Sequence, residues 1–197
     1  MTQNFAGAGA FIVQMFFGIY ILLIVLRFLM QVSGANYYNP LCQAVVKITG
    51  PAIRPFQNFF PAIKGVDTAT LIVAIIIQLI ALMLIMLFAG GEIFLFRYIL
   101  WSALGVVSLI LDIYFFSLLI MVIASWIAPY STHPALQLIN QLSEPLCAFV
   151  RKFLPPMGGI DFSPILVFIV IRLIDKYLIV EPLAVMLGIP NGIMLGL

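Results

Sequence analysis

The chain has 197 residues, of which 64% are hydrophobic and only 8% are charged, and its formal net charge is +2. A soluble domain carries about 25% charged residues, so this composition excludes an ordinary soluble protein and predicts a membrane protein. We expect no nucleic-acid partner for a chain with so few basic residues.

Four apolar stretches reach the length of about 20 residues that a membrane-crossing helix needs. They cover residues 11–32, 69–89, 99–128 and 164–187, which we call spans 1 to 4. Their apolar residues run continuously instead of alternating, which favours helices over barrel strands. The predicted fold is therefore an all-α membrane protein with four transmembrane helices. Span 1 is predicted to be retained, because no Lys or Arg precedes it as in a signal peptide.

Residues 1–94 and 95–197 are predicted to be two copies of one unit. Identical residues recur 94 positions apart without a gap, in the pairs Tyr20/Tyr114, Pro40/Pro134, Pro51/Pro145, Pro61/Pro155, Gly65/Gly159 and Asp67/Asp161. Each unit contains a span, a long loop and a second span. Because each unit crosses the membrane twice, the two are expected to be related by an axis along the membrane normal.

The long loops contain amphipathic segments at residues 40–60 and 134–154, which predict helices lying on the membrane surface. Pro51 and Pro145 are expected to divide each segment into two short helices, because proline lacks a backbone donor. The basic residues of these loops suit anionic headgroups; they are Lys47, Arg54, Lys64, Arg151 and Lys152. The alternative is that the helices simply pack on the transmembrane bundle.

A Gly-x-Asp turn precedes spans 2 and 4. The residues assigned to these turns are Gly65 and Asp67 in the first unit, and Gly159, Asp161, Ser163 and Pro164 in the second. Glycine permits the sharp change of direction, and an aspartate or the following hydroxyl residue caps the helix. Proline suits the first helical position. A cation or proton site at these turns is the less favoured alternative.

Span 4 contains three charged residues near its middle, Arg172, Asp175 and Lys176, and span 3 contains Asp112 at a similar depth. Each such charge costs roughly 2.5 to 3.5 kcal/mol at the bilayer centre, so partners are expected. Gln78, which lies 94 positions before Arg172, extends the predicted polar layer into span 2. Three interpretations stay open: a lock in which Asp112 pairs with Arg172, an ion or proton route, and a docking site for another membrane subunit.

The orientation follows from the basic residues of the loops. Five of them lie in the two long loops and only Arg97 lies between spans 2 and 3. The long loops are therefore predicted to be cytoplasmic, and both termini periplasmic, in a bacterial inner membrane. Cys42 and Cys147 then lie in a reducing compartment as free thiols. With no CxxC pair and His133 as the single histidine, no metal, haem or other cofactor is predicted.

Three stretches resemble the YggT family, also called YlmG-related: "YNP" at 38–40, "TGPAIRPFQNFFPAIKGVD" at 49–67 and "SEPLCAFVRKFLPPMGGIDFSP" at 143–164. The second unit fits the family's G-[IVL]-D-x-S pattern, whereas the first has Thr68 and Ala69 in place of Phe162 and Ser163. The resemblance implies small bacterial inner-membrane proteins connected with osmotic or ion stress and with cell-division gene neighbourhoods. It also implies chloroplast relatives connected with cytochrome b haem attachment and nucleoid organisation.

An enzymatic function is not predicted, because the sequence contains no paired Ser and His, no phosphate-binding glycine loop and no metal-ligand cluster. We expect a scaffold or an assembly or stress-response factor for membrane complexes. The alternative is an ion-transporting homo-oligomer that serves osmotic or potassium homeostasis. The expected partners are a bilayer with anionic headgroups, and other membrane proteins or further copies of the chain.

Overall fold

The computed structural model describes residues 2–63, 66–92, 94–156 and 161–189. Its helices are α1 (Thr2–Val32), α2 (Pro40–Gln57), α3 (Thr68–Ala89), α4 (Arg97–Ile127), α5 (Pro134–Arg151), α6 (Ser163–Leu173) and α7 (Val180–Met186), with a π-helical turn at Ile174–Leu178 between α6 and α7. The predicted all-α class is confirmed.

Three of the helices are long and apolar enough to cross a membrane, and they correspond to spans 1 to 3. The crossing segments are Gly7–Val32, Thr68–Ala89 and Arg97–Ile127. Glycines in the left-handed conformation end the first two of them, Gly34 after α1 and Gly90 after α3, where a side chain would be strained. The chain is a multi-pass membrane protein.

The fourth span differs from the prediction, because residues 164–187 do not form one continuous helix. Pro182 has no backbone N–H, and its ring would clash with the carbonyl of Leu178 in a regular helix. The chain accommodates the proline with a π-helical turn, in which the Ile179 N–H donates to the Ile174 carbonyl at 2.9 Å, five residues earlier. Span 4 is thus two short helices joined at this turn.

The two amphipathic segments also differ from the prediction, because each forms a single helix of 18 residues. Pro51, Pro55 and Pro145 lie inside these helices, on their exposed faces. There the carbonyls that lose a donor can be hydrated, so each helix continues past its prolines. α2 and α5 are therefore equivalent elements of the two units. Each begins with a proline that follows a capping residue, Asn39 or His133.

The core lies where the first halves of the two units meet. Its largest cluster joins α1 to α2, α3, α4 and α5, and a second cluster joins α4 to α5 and α6 through Leu118, Cys147 and Val167. The two units are also linked at the surface, because the Asn39 side chain donates to the Pro134 carbonyl at 2.7 Å. Packing therefore fixes α2 and α5 against each other as well as on the bundle.

Candidate functional site

The turn before α3 is held by Asp67, whose buried carboxylate accepts from the Thr70 hydroxyl at 2.9 Å and from the Thr70 backbone N–H at 3.4 Å. The same carboxylate accepts from the side-chain amide of Gln57 at 2.6 Å. Gln57 is the last residue of α2. One aspartate thereby caps α3 and ties it to the end of α2.

The equivalent turn before α6 uses Asp161, which accepts from the Ser163 backbone N–H at 2.9 Å and from Arg151 at 2.8 Å. Arg151 also donates to Glu144 at 2.6 Å. We call Glu144, Arg151 and Asp161 the Arg151 cluster. Burial opposes ionisation of Asp161, but the hydrogen bonds from Ser163 and Arg151 outweigh burial and hold the pKa of its carboxyl below the usual value.

Some of the predicted turn and surface residues are placed differently or are not described. Gly65, Gly159 and Lys64 lie outside the described residues. α6 begins at Ser163, so Pro164 occupies its second position and not its first. Lys47, Arg54 and Lys152 are exposed, as headgroup binding requires, whereas the charge of Arg151 is already shared by two carboxylates.

The charged residues of span 4 form what we call the charge row: Arg172, Asp175, Lys176 and Glu181. Asp175 is the central member, with its carboxylate 3.4 Å from Arg172 and 3.8 Å from Lys176, and Lys176 is 3.6 Å from Glu181. The side chain of Asp175 is 8% exposed, but those of Lys176 and Glu181 are 53% and 55% exposed. The row therefore opens onto the outer surface of the chain.

The lock interpretation expects Arg172 to pair with Asp112, but the two side chains form no direct ion pair in the described residues. The Arg172 guanidinium lies 3.5 Å from the centroid of the Phe115 ring on α4, and its ion-pair partner is Asp175 on its own helical segment. A cation held against an aromatic face and a carboxylate one turn away needs no acidic partner on another helix. Asp112 still lies close enough to interact electrostatically with Arg172 and Asp175.

Gln78 is buried in α3, at the position that corresponds to Arg172. Within the described part of the chain, no hydrogen bond or ion pair joins Gln78 to the charge row or to Asp112. The predicted polar layer across the bundle is therefore present only between α4 and the α6–α7 segment.

Arg27 is a charged residue of the structure that the sequence analysis overlooked. It lies in α1, and its guanidinium donates to the buried Thr49 hydroxyl at 3.2 Å and to the Val46 carbonyl at 3.4 Å, both on α2. These bonds hold α2 against α1. A single arginine near the end of an otherwise apolar span was the available signal, since charges there are expensive and need partners.

Cys42 and Cys147 are free and fully buried. Burial is the main cause that raises the pKa of each thiol above its usual value. A buried thiol with a raised pKa reacts slowly, so neither cysteine has the character of a nucleophile. Among the residues that the structure describes, no group of three or more His, Cys, Asp or Glu side chains is arranged to hold a metal ion.

The comparisons with known proteins bear on the whole chain. The protein family CCB3/YggT matches residues 6–88 and 100–181, and a match in two segments suggests a repeat. The uncharacterized protein PA0392 of Pseudomonas aeruginosa is 41% identical over 186 residues, which is 93% of this chain and 94% of that protein. The uncharacterized protein YggT of Escherichia coli K12 is 37% identical over 160 residues, covering 80% of this chain and 81% of the relative.

An uncharacterized protein encoded in the proC 3′ region of Vibrio alginolyticus is 31% identical over 162 residues, covering 81% of this chain and 87% of that relative. No solved structure matches the chain. The family match covers well over half of the residues and the similarity to PA0392 extends over nearly the full length of both proteins. On these findings, the chain belongs to the CCB3/YggT family.

Proposed function

We propose that this protein is a non-enzymatic scaffold or assembly factor of the bacterial inner membrane, and that it docks other membrane proteins through the charge row. The observation that carries the proposal is the outward exposure of this row. At the α-helical rise, Arg172 lies about 13 Å and Lys176 about 20 Å along the axis from Ser163, where α6 begins, so both lie inside a hydrocarbon core of about 30 Å. Glu181, at about 27 Å, lies near the far side of that core.

Charges at this depth require a cover. Each costs roughly 2.5 to 3.5 kcal/mol when it faces lipid, and pairing within the row reduces this cost only for the groups that it shields. Asp175 is shielded, but Lys176 and Glu181 are more than half exposed. A partner helix with polar side chains would form hydrogen bonds with Lys176 and Glu181. An apolar helix could not form these bonds, so docking would be selective for polar partners.

The break in span 4 supports this role. The π-helical turn at Ile174–Leu178 places Asp175, Lys176 and Tyr177 where the helix is irregular, and Tyr177 and Leu178 are exposed beside the charges. π-helical turns are frequent at functional sites because they present side chains that a regular helix would direct elsewhere. An aromatic and an aliphatic side chain beside paired charges form a small, specific surface for a partner.

The proposed orientation places α2 and α5 on the cytoplasmic face, where Lys47, Arg54 and Lys152 meet anionic headgroups. The family resemblance connects such proteins with osmotic stress and cell division. We propose membrane complexes of these processes as the assemblies that the protein serves.

The second candidate is an ion-transporting homo-oligomer for osmotic or potassium homeostasis. The same charge row favours it, because copies arranged around a common axis could turn Lys176 and Glu181 towards a shared polar path. The two candidates differ in the occupant of the row, which is another protein in one and a second copy of the chain in the other.

A photo-crosslinking amino acid at Tyr177 tests both candidates in intact cells. The matched control is Phe116, an exposed aromatic residue of α4 outside the row. Under the scaffold proposal, Tyr177 forms a stoichiometric adduct with a different membrane protein, and Lys176→Gln with Glu181→Gln abolishes it. Adducts only between copies, together with ion flux in liposomes, would establish the transporter. Equal cross-linking from Tyr177 and Phe116 would overturn both.

A further inference from the structure

A groove runs between α4 and α6 at the level where the chain passes from the membrane surface into the bilayer. It consists of two adjoining cavities of about 450 Å³ and about 150 Å³, which share Val122, Pro164 and Ile165 in their walls. The larger cavity lies at the end of α4 and the start of α6, and the smaller one continues towards the membrane centre. From Trp126 to Leu118 the groove follows α4 for about 12 Å.

The lining of the groove changes from polar to apolar along its length. The outer cavity is bordered by Arg151, Asp161 and Ser125, together with the exposed ring of Trp126. The inner cavity is bordered by Leu118, Leu119, Val122, Pro164, Ile165 and Phe168. This sequence of environments matches one phospholipid, with a charged headgroup at the surface and a hydrocarbon chain below it.

The position of α1 that corresponds to one wall residue of the groove is covered, which gives an internal comparison. Val25 is fully buried, whereas Leu119, its counterpart 94 positions later, is 38% exposed. In the first unit Arg27 takes the place of Met121 and bonds to α2. The position that borders the groove in the second unit is therefore covered by packing in the first.

The charges at the mouth select among headgroups. The Arg151 cluster contains one guanidinium and two carboxylates, so its net charge is −1. The two ion pairs of Arg151 with Glu144 and Asp161 use its Nη1 and its Nε, which leaves donors of the guanidinium for another acceptor. A net anionic lipid would meet the surplus carboxylate, whereas an ammonium would be attracted to it.

We propose that this groove binds a phospholipid whose headgroup carries both an ammonium and a phosphate, with one acyl chain between α4 and α6. The phosphate accepts from Arg151, and the ammonium donates to Asp161 or Glu144. The lipid completes the packing of the second unit, in the way that direct contact between α1 and α3 completes that of the first. This inference is independent of the proposed docking role of the charge row.

Trp126 provides a reporter at the mouth. The measurement is quenching of its fluorescence by chain-brominated lipid, in equimolar vesicles of phosphatidylethanolamine and phosphatidylglycerol, with bromine on one lipid or the other. Trp101, the second tryptophan, is replaced by Phe. We expect the site to prefer phosphatidylethanolamine by roughly fivefold, as one favourable headgroup charge contact of about 1 kcal/mol implies. Equal quenching from the two lipids, or preference for phosphatidylglycerol, would overturn the proposal.

Matched variants locate the effect. Val122→Phe fills the groove and Glu144→Gln removes one carboxylate from the mouth, so each is expected to remove the preference. The controls are Ile123→Phe, an exposed neighbour outside the groove, and Glu92→Gln, an exposed glutamate in the loop between α3 and α4; both should retain it. A preference that survives Val122→Phe contradicts the site. Native mass spectrometry of the unsubstituted protein from nanodiscs of the same lipids repeats the test without changing Trp101, with one retained phosphatidylethanolamine expected.

Discussion

Gln57 and Arg151 occupy the same position in the two units, and each donates a hydrogen bond to the aspartate ten residues later. The distances are 2.6 Å from Gln57 to Asp67 and 2.8 Å from Arg151 to Asp161. The two units thus use an amide and a guanidinium for the same mechanical task. Both bonds join the end of an amphipathic helix, α2 or α5, to the start of the helix that follows it, α3 or α6, so the turn between them is fixed at both ends.

Replacing Arg151 by Gln should leave the protein folded, because Gln57 shows that an amide can make the bond. Arg151→Leu removes the donor and leaves Asp161 without its partner, so we expect it to lower the free energy of unfolding by about 1 kcal/mol, a modest figure because the pair is partly exposed. Thermal unfolding in detergent measures both variants. Equal losses from Gln and Leu would show that the hydrogen bond has no part in stability.

Acid should weaken the second turn through Asp161. Its pKa is lowered in the folded protein from 3.8, so its stabilising contribution is complete above the unfolded value and is lost as the pH falls through the folded value. Between about pH 6 and about pH 3, the unsubstituted protein should therefore lose more thermal stability than Asp161→Asn does. Parallel pH profiles of the two proteins would contradict this assignment.

Sequence patterns predicted the features that depend on local chemistry, such as apolar length and helix caps. They missed the features in which two structural solutions compete, such as a proline that either ends a helix or is accommodated within it. Apolar length predicted spans 1 to 3, and the spacing of 94 residues placed Asp67 and Asp161 at equivalent turns. The expected breaks at Pro51 and Pro145 were wrong, because both prolines face outward and each helix continues past them. Pro182 does interrupt the regular helix. Its ring would clash with the Leu178 carbonyl, and the neighbouring residue Val180 is buried in a core cluster, so this segment does not present its backbone to solvent as α2 and α5 do at their prolines.

Pairing between charges was the least predictable feature. Depth alone suggested Asp112 as the partner of Arg172, but Asp175 is three residues away on the same segment and the Phe115 ring occupies the facing position on α4. Rotation about the helix axis decides between such partners, and the π-helical turn changes that rotation. The internal repeat does not reveal this rotation, because the first unit has Gln78 in place of Arg172 and so has no equivalent charge pair for comparison.

The predicted topology can be tested with single cysteines at exposed loop positions. Tyr38→Cys and Tyr130→Cys lie in the two long loops, and Glu92→Cys lies in the loop between α3 and α4. An impermeant thiol reagent should label only the Cys at position 92 in intact cells, and all three after permeabilisation. Cys42 and Cys147 do not interfere, because both are buried. Labelling of positions 38 and 130 in intact cells would reverse the orientation.

Arg27 should be needed to hold α2 on the bundle. Arg27→Met introduces the residue of the equivalent position, Met121, and removes the bonds to Thr49 and Val46. We expect a loss of about 1–2 kcal/mol in the free energy of unfolding, together with faster proteolysis within α2. Met121→Leu is the matched control and should change neither measurement. Unchanged proteolysis of Arg27→Met would show that apolar packing alone holds the surface helix.

Asp175 should matter more than Asp112 for stability. Under the proposed membrane placement of this segment, Asp175→Asn leaves both Arg172 and Lys176 without their shared carboxylate, and we expect a loss of about 3 kcal/mol in the free energy of unfolding. Asp112→Asn should cost less, because no ion pair within 4 Å depends on it in the described structure.

Combining Asp175→Asn with Arg172→Gln should restore much of the stability, because the Lys176–Glu181 pair stays neutral and the unpaired guanidinium is gone. Thermal unfolding of the two single variants and the double variant gives the coupling energy between Arg172 and Asp175. If the two losses simply add, the residues are not partners. A larger loss from Asp112→Asn than from Asp175→Asn would instead favour the pairing of α4 with α6 across the helix interface, with Asp112 as the counter-ion of Arg172.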